Sequence, residues 1–194
     1  MITIYLDSSN TSLTVGIGNE NGIIDSISYE AWQRQSETMV PEIDNILKKH
    51  NLTRNDIKDV VVAIGPGSYT GVRISITIAK VLSFALNCPI YPVSSLRVLK
   101  HGNNPSICLI NARSNRSYVG VFKGKEIVVN DTIWKNEEVI KFINENPEYE
   151  ICGFTKYLNL EGYSSNISEE MHLLKPYLDK CENSLSLKPV YLKD

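Results

Sequence analysis

The residues best equipped for chemistry lie at two turns. Asp7, Ser8 and Ser9 follow the apolar run ITIYL. A carboxylate followed by small hydroxyls in a tight turn has the donor set for Mg²⁺-phosphate, which makes these three the candidate cofactor-binding residues. The same residues suit a hairpin turn in which Asp and Ser bind their own backbone. The second turn is GPGSYTGVR, residues 65–73, made of Gly65, Pro66, Gly67, Ser68, Tyr69, Thr70, Gly71, Val72 and Arg73. Its glycines permit positive φ or close backbone approach. Ser68 and Thr70 can cap a following helix, whose N-terminus attracts anions. The spacing is neither G-x-x-x-x-G-K-[ST] nor G-x-G-x-x-G. A structural turn presenting a helix therefore accounts for this motif at least as well as a phosphate loop.

Other chemistries find less support. There is no G-x-S-x-G, because Gly67-Ser68 is followed by Tyr69-Thr70. Cys88, Cys108, Cys152 and Cys181 are widely spaced and form no C-x-x-C pair, which reads as reduced thiols in a cytoplasmic protein. His50, His101 and His172 form no H-x-x-x-H or H-E-x-x-H pair, so no metal site is expected. Arg113 and Arg116 follow Asn111 and could meet a carboxylate or phosphate, although two solvated arginines in a turn explain them equally. With 20 Lys and Arg against 22 Asp and Glu, the net charge of −2 argues against independent nucleic-acid binding. The N-terminus lacks the basic and apolar regions of a signal peptide, and the apolar stretch 72–86 carries Arg73 and Lys80, so no membrane association is expected.

The elements that must hold these turns follow from periodicity. Residues 2–6, 12–17 and 23–29 read as strands, with NENG (19–22) as a hairpin turn. Met39, Ile43, Ile46 and Leu47 recur at i, i+4, i+7, i+8, which predicts a helix over 36–49 with Pro41 in its first turn. VVVAI (60–64) suits a strand buried on both faces. Residues 71–87 are ambiguous: VRISITI alternates as a strand does, and AKVLSFAL favours a helix. A helix is predicted, with Arg73, Thr77, Lys80, Ser83 and Asn87 on one side and a wide apolar arc of Ile74, Ile78, Val81, Leu82 and Ala85 on the other. A short strand (89–93), a helix (94–101) and a linker at Gly102–Pro105 follow.

Residues 106–110, 117–122 and 126–129 then read as strands, 136–146 as a helix and 149–154 as a strand. The order β-β-β-α-β thus occurs twice, offset by about 100 residues, with a helix after each. This predicts two similar α/β lobes, 1–102 and a shorter 103–194, each a mixed sheet with helices.

GPGSYTGVRISITIAKVLSFAL followed by PVSSLRVL resembles the signature of the TsaB (YeaZ) family. IYLDSSNTSLTVGI, QSETMVPEIDNIL, NARSNRSYVGVF and the C-terminal KPVYLK agree in order. The resemblance implies an actin-like ATPase (ASKHA, ribonuclease H-like) fold with two duplicated βββαβα lobes. It implies a non-catalytic scaffold subunit in the synthesis of N6-threonylcarbamoyladenosine at position 37 of tRNA. The implied partners are a TsaD-like catalytic subunit and a TsaE-like ATPase, with tRNA reached only through the complex, ATP or ADP bound there, and a homodimer when the chain is alone. The H-x-x-x-H motif of the catalytic paralogue falls near Val93–Leu99, where this chain has no histidine. Gln35 and Asn111 replace a usual His and Asp, which weakens any joint hold of Asp7 and Asn111 on Mg²⁺-nucleotide. The family's dimers imply an interface on Met39, Ile43, Ile46, Leu47, Ile74, Ile78, Val81, Leu82 and Ala85. The rival reading is a small actin-like phosphotransferase or ATPase using Asp7 and the 65–71 loop on its own.

Overall fold

A computed structural model describes residues 1–31 and 33–192; Lys193, the last residue of KPVYLK, lies outside them. The chain builds two sheets from one repeated plan. In the first, β1 (Ile2–Asp7), β2 (Ser12–Asn19) and β3 (Gly22–Glu30) form an antiparallel meander. Helix α1 (Gln35–Lys49) then carries the chain over to β4 (Ile57–Ala63), which pairs parallel with β1. Helix α2 (Tyr69–Leu86) leads to β5 (Ile90–Val93), parallel to β4, giving the order β3-β2-β1-β4-β5. The second sheet repeats this with β6 (Pro105–Arg113), β7 (Arg116–Lys123), β8 (Glu126–Lys135), α3 (Asn136–Glu145) and β9 (Glu150–Gly153), in the order β8-β7-β6-β9. β9 pairs parallel with β6 as β4 does with β1. The run VVVAI is buried throughout β4 up to Ala63, as expected of a strand covered on both faces.

Three layers of core hold this together. Ile4, Leu6, Val60 and Val62 meet α1 and α2 on one face of the first sheet. Tyr5, Val61, Ala63 and Val93, on its opposite face, pack with Cys108, Ile110, Phe122 and Cys152 of the second sheet. Ile107, Leu109, Val119 and Val121 pack on α3. The space between the sheets is also filled by Leu96–Leu99 and by α4 (Ile167–Leu174), through Ile167, Met171 and Leu174.

The C-terminal segment crosses back to the first sheet. Lys175 Nζ lies 2.6 Å from the Asp59 carboxylate and donates to Thr3 Oγ1 at 2.7 Å. Lys100, on the segment joining the two sheets, meets Glu170 of α4 at 2.7 Å, both nearly inaccessible. Beyond α4 the chain runs along α2: Cys181 N donates to Ile90 O, Lys80 Nζ to Leu185 O and Val190 N to Ile64 O, and Leu187 joins the core. Buried ion pairs contribute little net stability but are costly to break singly, so they fix where this returning segment sits.

Local expectations shift in three places. The predicted helix 94–101 is only a 3₁₀ turn at Arg97–Leu99: Ser94 Oγ takes the Leu96 and Arg97 N–H groups, and Lys100 turns extended toward Glu170. Helix α1 begins at Gln35, so Pro41 sits inside it rather than in its first turn; the position is exposed, and water can satisfy the carbonyl that loses its donor. In α2, Ser83 belongs to the buried face with Gly71, Val72, Ser75, Ile76 and Ala79. Its hydroxyl donates to Cys88 O and that of Ser75 to Val72 O, so both serines are buried without an orphaned donor. By length and mean hydropathy α2 alone among the described residues would suffice to cross a membrane, yet that face is packed on the sheet.

Candidate protein interface on the second helix

The two turns singled out by their chemistry are packed against each other. Ser68 N donates to Ser9 O at 2.6 Å, and Ser8 Oγ donates to Gly71 O at 2.7 Å. A Cβ on Gly67 would lie inside the contact radius of the Ser9 carbonyl oxygen, and one on Gly71 inside that of Ser8. These two glycines are therefore required by close approach of one backbone to another. Gly65 is braced from the other side, donating its N–H to Ser95 Oγ at 2.9 Å and accepting from Ser95 N. That contact joins the GPGSYTGVR loop to PVSSL. Ser68 Oγ caps α2 by accepting from Gly71 N.

This arrangement does not fit Mg²⁺-nucleotide at Asp7, Ser8 and Ser9. The glycine loop faces carbonyl oxygens, the wrong polarity for a phosphate, and the Ser8 hydroxyl is spent on Gly71. Asp7 is 1% exposed; its Oδ1 accepts the Ser9 N–H at 2.8 Å, and among the described residues its Oδ2, like the buried Ser9 Oγ, has no partner. Burial raises the Asp7 pKa against the opposing effect of the Ser9 hydrogen bond. An acid whose folded pKa is raised destabilises the fold as pH rises through the window above the unfolded value. Asp7→Asn keeps the acceptor for Ser9 and removes the buried charge. It is expected to be more stable than the parent at pH 7 by about 1–2 kcal/mol, with the gap closing below about pH 4. Urea titrations at the two pH values check this, and a loss of stability at pH 7 would contradict it.

The positions that depart from the family pattern have structural tasks. Gln35 is buried and its Nε2 donates to Asn10 O at 3.1 Å, holding the β1–β2 turn to the start of α1. Asn111 is exposed and its Oδ1 accepts from Arg113 N. Asn111 and Arg113 line a cleft of about 560 Å³ with Ser9, Thr11, Gly67 and Thr70, next to the β1–β2 turn. Arg113, Ser114 and Asn115 all have positive φ, the backbone of a tight β6–β7 hairpin tip.

What the loop does is launch α2. Position by position, the inner face of the helix is buried and the outer face is apolar and open. Val81 is 61% and Phe84 76% exposed, and Thr77 and Ala85 are also exposed. Ile74, Ile78 and Leu82 are half-buried, packed against the core at the flank. An apolar groove lies over Ile74, Thr77 and Ile78, walled by Ser36 of α1 and by Tyr69 and Arg73.

Of the nine expected interface residues, the structure presents only the five on α2. Met39 is fully buried, and Ile43, Ile46 and Leu47 are 4–6% exposed; all four pack inside the chain's own core. They cannot line a surface for a partner, because the single apolar stripe of α1 is consumed in covering the sheet. Phe84, the most exposed large apolar side chain of α2, is absent from the expected set. The signal that finds it is rotation: at 100° per residue Phe84 falls roughly 140° from the centre of the buried face formed by Gly71, Val72, Ser75, Ile76, Ala79 and Ser83.

Two β-β-β-α-β sheets facing each other across a shared core define a protein of the actin-like, ribonuclease H-like class. The chain matches the family described as TsaD: tRNA N6-adenosine threonylcarbamoyltransferase over residues 23–165. It is 33% identical over 129 residues to the tRNA threonylcarbamoyladenosine biosynthesis protein TsaB of Bacillus subtilis, covering 64% of this chain and 56% of that one. It is 30% identical to the uncharacterized protein MG208 of Mycoplasma genitalium, across 98% of this chain and 94% of its relative. The fold superposes on YeaZ from Pseudomonas aeruginosa with a TM-score of 0.80 at 19% identity, covering 98% and 99% of the two chains. The chain belongs to the TsaB (YeaZ) family, related in sequence to TsaD.

Proposed function

We propose that this protein is a non-catalytic subunit in the synthesis of N6-threonylcarbamoyladenosine on tRNA, and that it works by holding a TsaD-like catalytic subunit through the outer face of α2. The observation that carries this reading is the open apolar row Val81, Phe84 and Ala85 beside half-buried Ile74, Ile78 and Leu82. Exposed apolar patches of this kind mark association surfaces. Family membership supports the pathway, and the filled glycine loop favours a binding role over independent phosphoryl transfer.

In this reading a TsaE-like ATPase joins the pair, ATP or ADP is bound by the complex, tRNA is engaged only through it, and the protein acts in the cytoplasm. Alone at high concentration the chain pairs with a second copy through the same face, since a two-fold contact is self-complementary. The two lobes, 1–102 and 103–194, enter these pairings with the core between their sheets shared. The test is reconstitution of modification with the catalytic subunit, the TsaE-like ATPase, tRNA, ATP and the threonylcarbamoyl-adenylate precursor. Modified adenosine should form with this chain present and fall to background when it is omitted. Equal modification in its absence, or ATP turnover by the chain alone that is lost in Asp7→Ala, would overturn the proposal.

A further inference from the structure

Helix α2 carries two cations, Arg73 and Lys80, and no carboxylate anywhere along its length. Lys80 is engaged with the carbonyl oxygen of Leu185. Arg73 is exposed, and among the described residues it has no carboxylate partner. It is instead held in place by aromatic groups. Its guanidinium lies 5.1 Å from the Tyr69 ring centroid, and Nη1 donates to the Tyr69 hydroxyl at 2.5 Å. Tyr69 in turn stacks on Tyr191, with centroids 5.1 Å apart and planes at 22°.

Tyr191 is delivered to this point by the returning C-terminal segment, anchored at Ile64 and in the core through Val190 and Leu187. The three acidic side chains of α1 already have partners: Glu37 meets Arg34, Asp44 meets Lys48, and Glu42 accepts from the Tyr29 hydroxyl. The groove that Arg73 borders therefore combines apolar walls and hydroxyls with a preset cation that no carboxylate answers among the described residues.

We propose that the Arg73–Tyr69–Tyr191 stack is the polar anchor of the docking face, recognising a carboxylate that the catalytic subunit presents beside its own apolar helix. This rests on the reading of α2 as the pairing surface. It also accounts for partner choice. Two copies of this chain meeting through α2 bring cations together and offer no acid from that helix, whereas a different chain with an acidic residue there gains a charge-assisted hydrogen bond. The C-terminal segment is thereby part of the interface apparatus, because it stacks the ring that orients Arg73.

Affinity measured by titration against the TsaD-like subunit of the same genome, from about 0.05 to about 0.5 M salt, tests this. The parent should weaken steadily with salt. Arg73→Gln should bind roughly tenfold more weakly at low salt and lose most of the salt dependence. Arg73→Lys should keep part of the slope, and Tyr191→Ala should fall between parent and Arg73→Gln. Arg73→Gln binding with the parent's affinity and slope would overturn the anchor. A paired variant, Val81→Asp with Phe84→Asp, separates the two levels. If it abolishes binding while Arg73→Gln does not weaken it, the anchor fails and the pairing face stands; if it binds normally, both fail.

Discussion

Val81→Asp combined with Phe84→Asp is expected to weaken pairing with the catalytic subunit by at least about a hundredfold while leaving the melting temperature within a few degrees of the parent. Truncating a central apolar anchor of an interface costs about 2–4 kcal/mol, and a buried unpaired carboxylate adds to that. Neither residue supports the fold: Val81 is 61% and Phe84 76% exposed. Exposed substitutions ordinarily change stability by about 0.5 kcal/mol or less. Ile78 and Leu82 are poorer choices, because both pack on the core and a charge there would also weaken the fold. Leu173→Asp supplies the control, an exposed apolar residue on α4, away from α2. It should bind as the parent does. If the double variant unfolds, α2 is held by its outer face and the assignment of its two sides is wrong.

The largest effect on stability is expected from Gly71→Ala. Intrinsic helix propensity predicts the opposite sign, since alanine is favoured over glycine in a helix by about 1 kcal/mol. The new methyl group would lie far inside the radius of the Ser8 carbonyl oxygen, which is backbone. That carbonyl is fixed within a turn that also donates Ser8 Oγ to Gly71 O and accepts Ser68 N at Ser9 O. One of the two turns must move, at a cost of about 3 kcal/mol. For a chain of this size the melting temperature should fall by roughly 6–12 °C. Thermal unfolding followed by circular dichroism measures it. A variant as stable as the parent would mean that the β1–β2 turn is not pinned to the loop. Asp7→Asn should move stability the other way, so the two substitutions distinguish crowding from buried charge at the same junction.

Much of this architecture is legible from local patterns. NENG sits at the β2–β3 turn, the β-branched run 60–64 falls within the buried strand and its end, and both three-stranded meanders follow from alternation. Local pattern fails where two answers satisfy it equally. The apolar spacing of Met39, Ile43, Ile46 and Leu47 specifies one sticky helix face but not what covers it, and the chain's own sheet does. The arc on α2 is wide enough to serve the core or a partner. Small residues turn inward there because backbone carbonyls satisfy Ser75 and Ser83, leaving bulky Phe84 outside. Contacts far apart in sequence leave no local trace. Lys175 with Asp59, 116 residues apart, and the stack of Tyr191 on Tyr69 emerge only when the chain returns. The candidate cofactor turn illustrates the same limit: Asp7, Ser8 and Ser9 have the right chemistry, but the Ser8 hydroxyl and Asp7 Oδ1 are taken up by neighbouring backbone and Asp7 and Ser9 are each 1% exposed.

The pairing role rests on one measurable property of the purified chain, its mass in solution with and without the catalytic subunit. Size-exclusion chromatography with light scattering would record both, using the TsaD-like protein of the same genome. A species with the summed mass of one copy of each, forming at the expense of any homodimer and lost in the Val81→Asp, Phe84→Asp variant, is the expected result. A chain that keeps its own mass and elution when mixed with that subunit at micromolar concentration would contradict the proposed function.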